Sequence, residues 1–317
     1  PINGYGEWNI TDITQCENGT IIMNANMSIR SGGHLILRNV TLLLNNTLAN
    51  GHSTIKVANN GNLTITDLDD KPTTTNDASN ISVTNLKGIV NNRSNLFVYP
   101  NARFTIKNSL LSGFRIGNPN TGIILFTPSE ILNSELKLIR SIIIYPSANN
   151  TNISGNHIRA DTSGIDNIIE FTANSTISGT TGNIKISGNN FTTTIGRILD
   201  FSGNNNDKTN FINNNIMNTN ALDHDLLINN YATNIYFGNN SFIHKGGTDT
   251  SLANIFVGDL ISSAPKNPNW TFADNIFNTT TVLQNIRIGI NNNFTIKWIN
   301  NTFNYSKVKF DNQISGG

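Results

Sequence analysis

The sequence predicts an all-β protein that folds as a right-handed parallel β-helix, a solenoid with a short N-terminal cap segment. Three observations predict it. A phrase of the form apolar-x-x-Asn-x-apolar recurs six times in the second half of the chain. The asparagines of successive copies are 33, 25, 26, 35 and 26 residues apart, a period that indicates a repeat architecture. Asparagine itself makes up 59 of the 317 residues, whereas helical periodicity is absent.

The chain divides into three parts along its length. Residues 1–30 are predicted to be the cap segment, in which Trp8 would cover the open apolar end of the first coil. Residues 31–145 carry a looser repeat with apolar-polar-apolar strands such as Leu35–Leu37, and a polar stretch over residues 67–80 interrupts it as an exposed loop would. Residues 146–317 carry the tighter Asn phrase. Because composition does not change between the halves, residues 31–317 are predicted to be one continuous β-helix of roughly 11 or 12 coils.

The repeated asparagine is predicted to set the register between coils. In a parallel stack each Asn can donate its amide N–H to the amide oxygen of the Asn in the next coil, and Asn also tolerates the left-handed backbone of a sharp bend. The apolar residues on either side would stack into two buried columns that supply most of the stability. The predicted ladder consists of Asn156, Asn189, Asn214, Asn240, Asn275 and Asn301.

Composition excludes several functional classes. Charged residues are 13% of the chain and the net charge is +1, which gives no electrostatic case for binding nucleic acid. No apolar run reaches the ~18 residues needed for a membrane span. Cys16 is the one cysteine, so an intrachain disulfide is impossible.

Asn-x-Ser/Thr sequons occur 18 times and point to an extracellular setting, with glycans on the outer face. Asn and Thr also suit turns and half-exposed strands, so the sequons leave both interpretations open. The candidate glycosylation sites are Asn9, Asn18, Asn26, Asn39, Asn45, Asn62, Asn80, Asn92, Asn149, Asn152, Asn174, Asn190, Asn239, Asn269, Asn278, Asn293, Asn300 and Asn304.

The pattern resembles the right-handed parallel β-helix proteins of the pectin-lyase-like group. The opening from Gly6 to Asp12 and the segment from Gly32 to Leu42 are similar to the start of many archaeal secreted β-helix surface proteins. The resemblance implies the fold and an extracellular, cell-surface location. It does not fix the function, because β-helices host lyases, hydrolases, adhesins and structural layers.

A search for chemistry yields one local cluster, Asp223, His224 and Asp225. On a strand, Asp223 and Asp225 would share a face and could bind a cation or act as an acid/base pair, although a solvated loop explains the same residues. Asp69 and Asp70 form the one Asp pair, and they lie in the polar loop. The histidines have no partners at metal-ligand spacing, so no metal and no cofactor is predicted.

The sequence therefore favours a structural or adhesive cell-surface protein, such as a glycosylated filament or surface-layer subunit, over an enzyme. Self-association through open solenoid ends or strand addition, and contact with cell-surface glycans, are the expected partnerships. The alternatives are a polysaccharide lyase or hydrolase working through residues 223–225, and a glycan-binding fibre without catalysis.

Overall fold

The computed structural model describes residues 7–45, 52–71, 77–84, 93–114, 122–138, 141–160, 167–171, 182–194, 196–201, 206–219, 226–228, 232–245, 253–257, 269–279, 284–289, 295–304 and 308–311. All secondary structure in these ranges is β, and every strand pairing is parallel. The prediction of an all-β parallel β-helix is confirmed.

The first sheet contains 12 described strands, one from each coil in chain order. They are β1 (Trp8–Ile10), β3 (Met27–Ile29), β5 (His52–Val57), β8 (Arg93–Val98), β11 (Ile123–Leu125), β14 (Ile142–Ile144), β17 (Asn167–Phe171), β20 (Arg197–Phe201), β24 (Leu226–Ile228), β28 (Ala253–Val257), β31 (Gln284–Gly289) and β34 (Val308–Asp311).

The second and third sheets are joined because two long strands, β2 (Ile13–Met23) and β4 (His34–Asn45), run through both. The second sheet continues with β6 (Asn62–Thr66), β9 (Arg103–Lys107), β12 (Ser129–Leu132), β15 (Asn152–Ser154), β18 (Ile184–Ser187), β22 (Thr209–Ile212), β26 (Ile235–Gly238), β29 (Asn269–Ala273) and β32 (Thr295–Ile299). The third continues with β7 (Asn80–Thr84), β10 (Leu110–Ser112), β13 (Glu135–Leu138), β16 (His157–Ala160), β19 (Asn190–Thr193), β23 (Asn215–Asn218), β27 (Ser241–His244), β30 (Ile276–Thr279) and β33 (Thr302–Asn304). A short pair, β21 (Asn206–Asp207) with β25 (Ala232–Thr233), lies outside the three sheets.

Eleven described strands thus stand in the second sheet and eleven in the third, in agreement with the predicted number of coils. The described part of the segment predicted as a cap, residues 7–30, contributes strands to the sheets, since β1 pairs with β3 and β2 pairs with β4 in register. Trp8 is half-buried and packs against the core.

The core is built from in-register columns of apolar side chains, as the repeat predicts. Alternate strand residues point inward, because successive side chains of a strand face opposite sides of its sheet. Phe237, Phe272 and Trp298 occupy one position in three consecutive coils, and their rings stack with centroid separations of 4.7 and 4.4 Å. Phe242 and Phe277 stack in the other column, 4.9 Å apart. The register between coils is therefore fixed by the stacking of these aromatic side chains as well as by backbone pairing.

Candidate functional site

The structure places all six repeat asparagines in one column, at the bend between the second and third sheets. Asn156, Asn189, Asn214, Asn240 and Asn275 are at most 2% exposed, and Asn301 is half-buried in the last coil of the column. The amide nitrogen of each of the first five donates to the amide oxygen of the Asn in the following coil over 2.9–3.0 Å. The column follows the helix axis without a break.

Each ladder asparagine connects three coils. For Asn189, Nδ2 donates to Oδ1 of Asn214 in the next coil and to the carbonyl of Ile153 in the preceding one, both over 2.9 Å. Its Oδ1 accepts the backbone N–H and the Nδ2 of Asn156, also over 2.9 Å. The side-chain amide thereby satisfies backbone groups at a bend where strand pairing cannot, which removes the penalty for burying them.

Two features of this column are absent from the repeat phrase. The ladder continues toward the N-terminus through serines: Ser109 N–H donates to Ser134 Oγ, and Ser134 N–H donates to Asn156 Oδ1. The left-handed residue of the bend is the one before the ladder position, as in Gly155 (φ 70°) and Asn213 (φ 56°). Asparagine is therefore abundant for two separate reasons, side-chain bonding at one position and tolerance of positive φ at its neighbour.

The residues predicted for chemistry do not form a described site. Asp223, His224 and Asp225 lie outside the described residues. Cys16 is half-buried against the core, and burial raises the pKa of its thiol, so the sulfur stays protonated near neutral pH. Trp270 is fully buried, whereas Trp298 stacks on Phe272 and is 37% exposed.

None of the predicted glycosylation sites is a ladder asparagine. Asn9, Asn18, Asn190, Asn269 and Asn304 are among the sequon asparagines that the structure exposes. Within the described residues, no sequon asparagine with an assigned burial falls in the buried class. Every exposed site is therefore open to an outer-face glycan, and glycosylation stays a prediction.

A groove of about 370 Å³ crosses the outer face of the second sheet near the N-terminal end. Its floor is one column of outward side chains in register, Gln15, Ile36, Thr64 and Thr105, from four successive coils. A second column brings Arg38 beside Thr66, and Lys107 and Asp70 complete the lining. Threonine suits such positions because its β-branched side chain fits a half-exposed strand, while its hydroxyl can both donate and accept a hydrogen bond. Thr105 Oγ1 uses one of these roles, since it donates to Glu130 Oε2 over 3.5 Å.

Charge in this groove is balanced by two ion pairs. Arg38 lies 3.5 Å from Glu17, and Lys107 lies 3.3 Å from Asp70. His34 borders the groove, with Nε2 3.0 Å from Thr64 Oγ1, and burial lowers the pKa of its imidazole, so it is neutral near pH 7. The groove therefore offers hydroxyl, amide and charged hydrogen-bonding groups without a net charge, which suits a neutral polyhydroxylated ligand.

A second surface, on the outer face of the first sheet, pairs two carboxylates. Glu170 of β17 and Asp200 of β20 are direct neighbours in adjacent strands, which stand ~4.8 Å apart in a sheet. Asp200 is 4% exposed, its Oδ2 lies 3.0 Å from Arg197, and its Oδ1 is buried without a hydrogen-bond partner. Repeat analysis missed this pair because one acidic residue in each of two coils gives no local signal.

Aromatic rings border the same surface. Tyr99, Phe126 and Tyr145 follow strands of three consecutive coils, and their centroids are 6.2 and 4.2 Å apart. Glu170 is the register partner of Ile143, two residues before Tyr145. Burial, with a smaller contribution from the charge of Glu170, raises the pKa of Tyr145. The surface thus combines an apolar strip with a carboxylate pair.

The described carboxylates also converge at one further place. Side-chain oxygens of Asp67, Asp69 and Asp77 lie within 4.8 Å of one another at the base of the polar loop. Asp67 is fully buried there, in contrast to the exposed loop that the sequence predicts. This is the group of described residues that could hold a metal ion.

Comparisons with known proteins give one match. No family model matches the chain, and no curated protein matches it. Among solved structures, it is similar to the Streptococcus pneumoniae surface protein and adhesin PfbA, at 12% sequence identity and a TM-score of 0.34, over 98% of this chain and 91% of that chain. A likeness at this level carries no inference about function. In the described part of the chain, no helix is long and apolar enough to cross a membrane.

Proposed function

We propose that this protein is an extracellular structural and adhesive protein whose β-helix presents a glycan-binding groove. The observation that carries the proposal is the column of Gln15, Thr64 and Thr105 in register, flanked by the ion pairs of Arg38 and Lys107. A sugar displays several hydroxyls that both donate and accept hydrogen bonds. The side chains of Gln15, Thr64 and Thr105 offer both roles, and Ile36 between Gln15 and Thr64 adds an apolar contact.

The rigidity of the scaffold supports binding of this kind. The groove side chains project from four paired strands, and they lie over a core in which Leu35, Leu63 and Phe104 are at most 1% exposed. Preorganised groups lose less conformational entropy when a ligand binds. Exposed ion pairs contribute little to folding, so Arg38 and Lys107 can exchange their partners for ligand hydroxyls at small cost. Self-association into filaments or layers remains a prediction beside this proposal.

Removing the two groove hydroxyls is expected to weaken glycan binding by roughly 5- to 150-fold. The double variant Thr64→Val, Thr105→Val keeps the β-branched shape but leaves ligand hydroxyls without partners, a loss of about 1–3 kcal/mol. A glycan array on the whole chain identifies the ligand, and isothermal titration measures its affinity for each variant.

The matched control is Thr271→Val, which removes a hydroxyl from the same outward column of the same sheet, far along the axis. It is expected to bind as the wild type does. Equal affinity in the double variant and the wild type, or the absence of any bound glycan on the array, contradicts the proposal.

A carbohydrate-active enzyme is the second candidate, and the specific observation for it is the register of Glu170 with Asp200. Asp200, ion-paired with Arg197, would be the anionic partner, and Glu170 would supply the proton. A reducing-sugar assay on a panel of polysaccharides tests this candidate. Turnover that Glu170→Gln and Asp200→Asn abolish, but Glu135→Gln on the third sheet leaves intact, would establish it, and binding without turnover excludes it.

A further inference from the structure

The base of the polar loop between β6 and β7 holds an unusual concentration of negative charge. Asp67 directly follows β6, where the chain leaves the coil, and Asp77 lies three residues before β7, where it returns. The side-chain oxygens of these two residues and of Asp69 lie within 4.8 Å of one another. The cluster therefore spans both ends of the loop.

Charge compensation at the cluster is incomplete. Asp67 is fully buried and is held by neutral donors: Thr66 Oγ1 at 3.0 Å, and Asn108 Nδ2 at 3.1 and 3.2 Å from its two oxygens. Among the described residues, neither Asp67 nor Asp77 forms an ion pair, whereas Lys71 contacts Asp69. Asp77 Oδ1 is buried without a hydrogen-bond partner. Asp67 is buried, Asp77 is half-buried and Asp69 is exposed, and carboxylates at this separation repel one another unless a cation lies between them.

A second feature independently points to a ligand. Asn108, at the corner one coil further along, is only 6% exposed and turns its amide toward Asp67, yet its Oδ1 has no hydrogen-bond partner. A half-turn about χ2 exchanges the amide oxygen with the nitrogen. The side chain then gives up its two bonds to Asp67, whose charge the cation would balance instead, and presents an oxygen to the cluster, as a cation ligand requires.

We propose that Asp67, Asp69 and Asp77, together with the amide oxygen of Asn108, bind a Ca²⁺ ion. All four ligand atoms are oxygens, the ligand type of hard cations, and no nitrogen or sulfur ligand is among them. Ca²⁺ accepts six to eight oxygens in flexible geometry, so water can complete its shell, whereas Mg²⁺ demands a near-ideal octahedron. The ion would tie both ends of the loop to the neighbouring coil, and with them Asp70, which lines the groove.

The test is calcium binding by the whole chain after treatment with EDTA. Isothermal titration with CaCl₂ is expected to show one site with a Kd of about 10⁻⁵–10⁻³ M. The unfolding midpoint is expected to rise by roughly 4 °C when Ca²⁺ stands at about 100 times its Kd. Mg²⁺ at the same concentration is expected to give a smaller shift.

Variants separate this site from scattered surface binding. Asp67→Asn and Asp77→Asn are each expected to weaken Ca²⁺ binding at least 10-fold, and Asp77 is the more exposed of the two, so its variant tests the site even if Asp67→Asn does not fold. The control is Asp274→Asn, at an exposed bend position that Asn213 and Asn239 occupy in other coils. No heat and no shift at about 10 mM Ca²⁺, above the expected range, or an unchanged Kd in Asp77→Asn, overturns the proposal.

Discussion

Replacing Asn214 with alanine is expected to lower the free energy of unfolding by about 2–6 kcal/mol. Asn214 Oδ1 accepts from the backbone N–H and the Nδ2 of Asn189, and its own Nδ2 donates to Asn240 Oδ1 and the carbonyl of Ile186. Alanine removes all four bonds. The backbone N–H of Asn189 and the carbonyl of Ile186 lose these partners, while Asn189 Nδ2 keeps its bond to the carbonyl of Ile153. Each unsatisfied group costs about 1–3 kcal/mol.

The measurement is urea unfolding followed by far-UV circular dichroism, with Asn215→Ala as the control. Asn215 is the next residue, but its side chain is exposed and makes one long bond, 3.4 Å to Asn190. Its loss is expected to change stability by less than about 0.5 kcal/mol. If both variants unfold at the same urea concentration, the ladder does not stabilise the solenoid.

Replacing Phe272 with alanine is expected to destabilise the protein by about 3–5 kcal/mol, the usual cost of truncating a buried phenylalanine. Phe272 is fully buried between Phe237 and Trp298, with ring planes 3° and 11° from parallel. Alanine leaves a cavity and removes both aromatic contacts, each worth about 0.5–1.5 kcal/mol beyond burial.

Trp298 reports on the same change. Its indole loses its stacking partner, so its fluorescence emission is expected to shift to longer wavelength in the folded variant. The control Thr271→Ala alters the neighbouring outward side chain of the same strand and is expected to leave both stability and emission near the wild-type values. A Phe272→Ala variant that unfolds with the wild type would show that this column is loosely packed.

Much of the scaffold could be predicted because repetition makes a long-range contact visible in the sequence. Asn156 and Asn189 are 33 residues apart, yet the phrase that they share is enough to align them. Ser109 and Ser134 were missed because the phrase was defined by asparagine, while the backbone N–H at this bend requires an acceptor that serine also provides. The loop was expected to be exposed throughout, but Asp67 and Ser79 at its two ends are fully buried.

The candidate sites carry no such repetition. The groove depends on which outward residues of β2, β4, β6 and β9 fall in register, and the loops between them differ in length. Glu170 meets Asp200, and Asp67 meets Asn108, across 30 and 41 residues of unrelated sequence. A single polar residue in a coil has no recognisable partner in the sequence, because its partner depends on the register of the neighbouring coil.

The sequence by itself determined the fold class, the ladder and the two apolar columns. Each depends on a residue pattern that recurs in successive coils, so it can be recognised without knowing any contact. Only the tertiary structure decided which polar side chains share a surface. Outward positions are free of the packing constraint that keeps the core periodic, so their residue types vary from coil to coil. Which of these side chains are neighbours depends on the register between stacked coils.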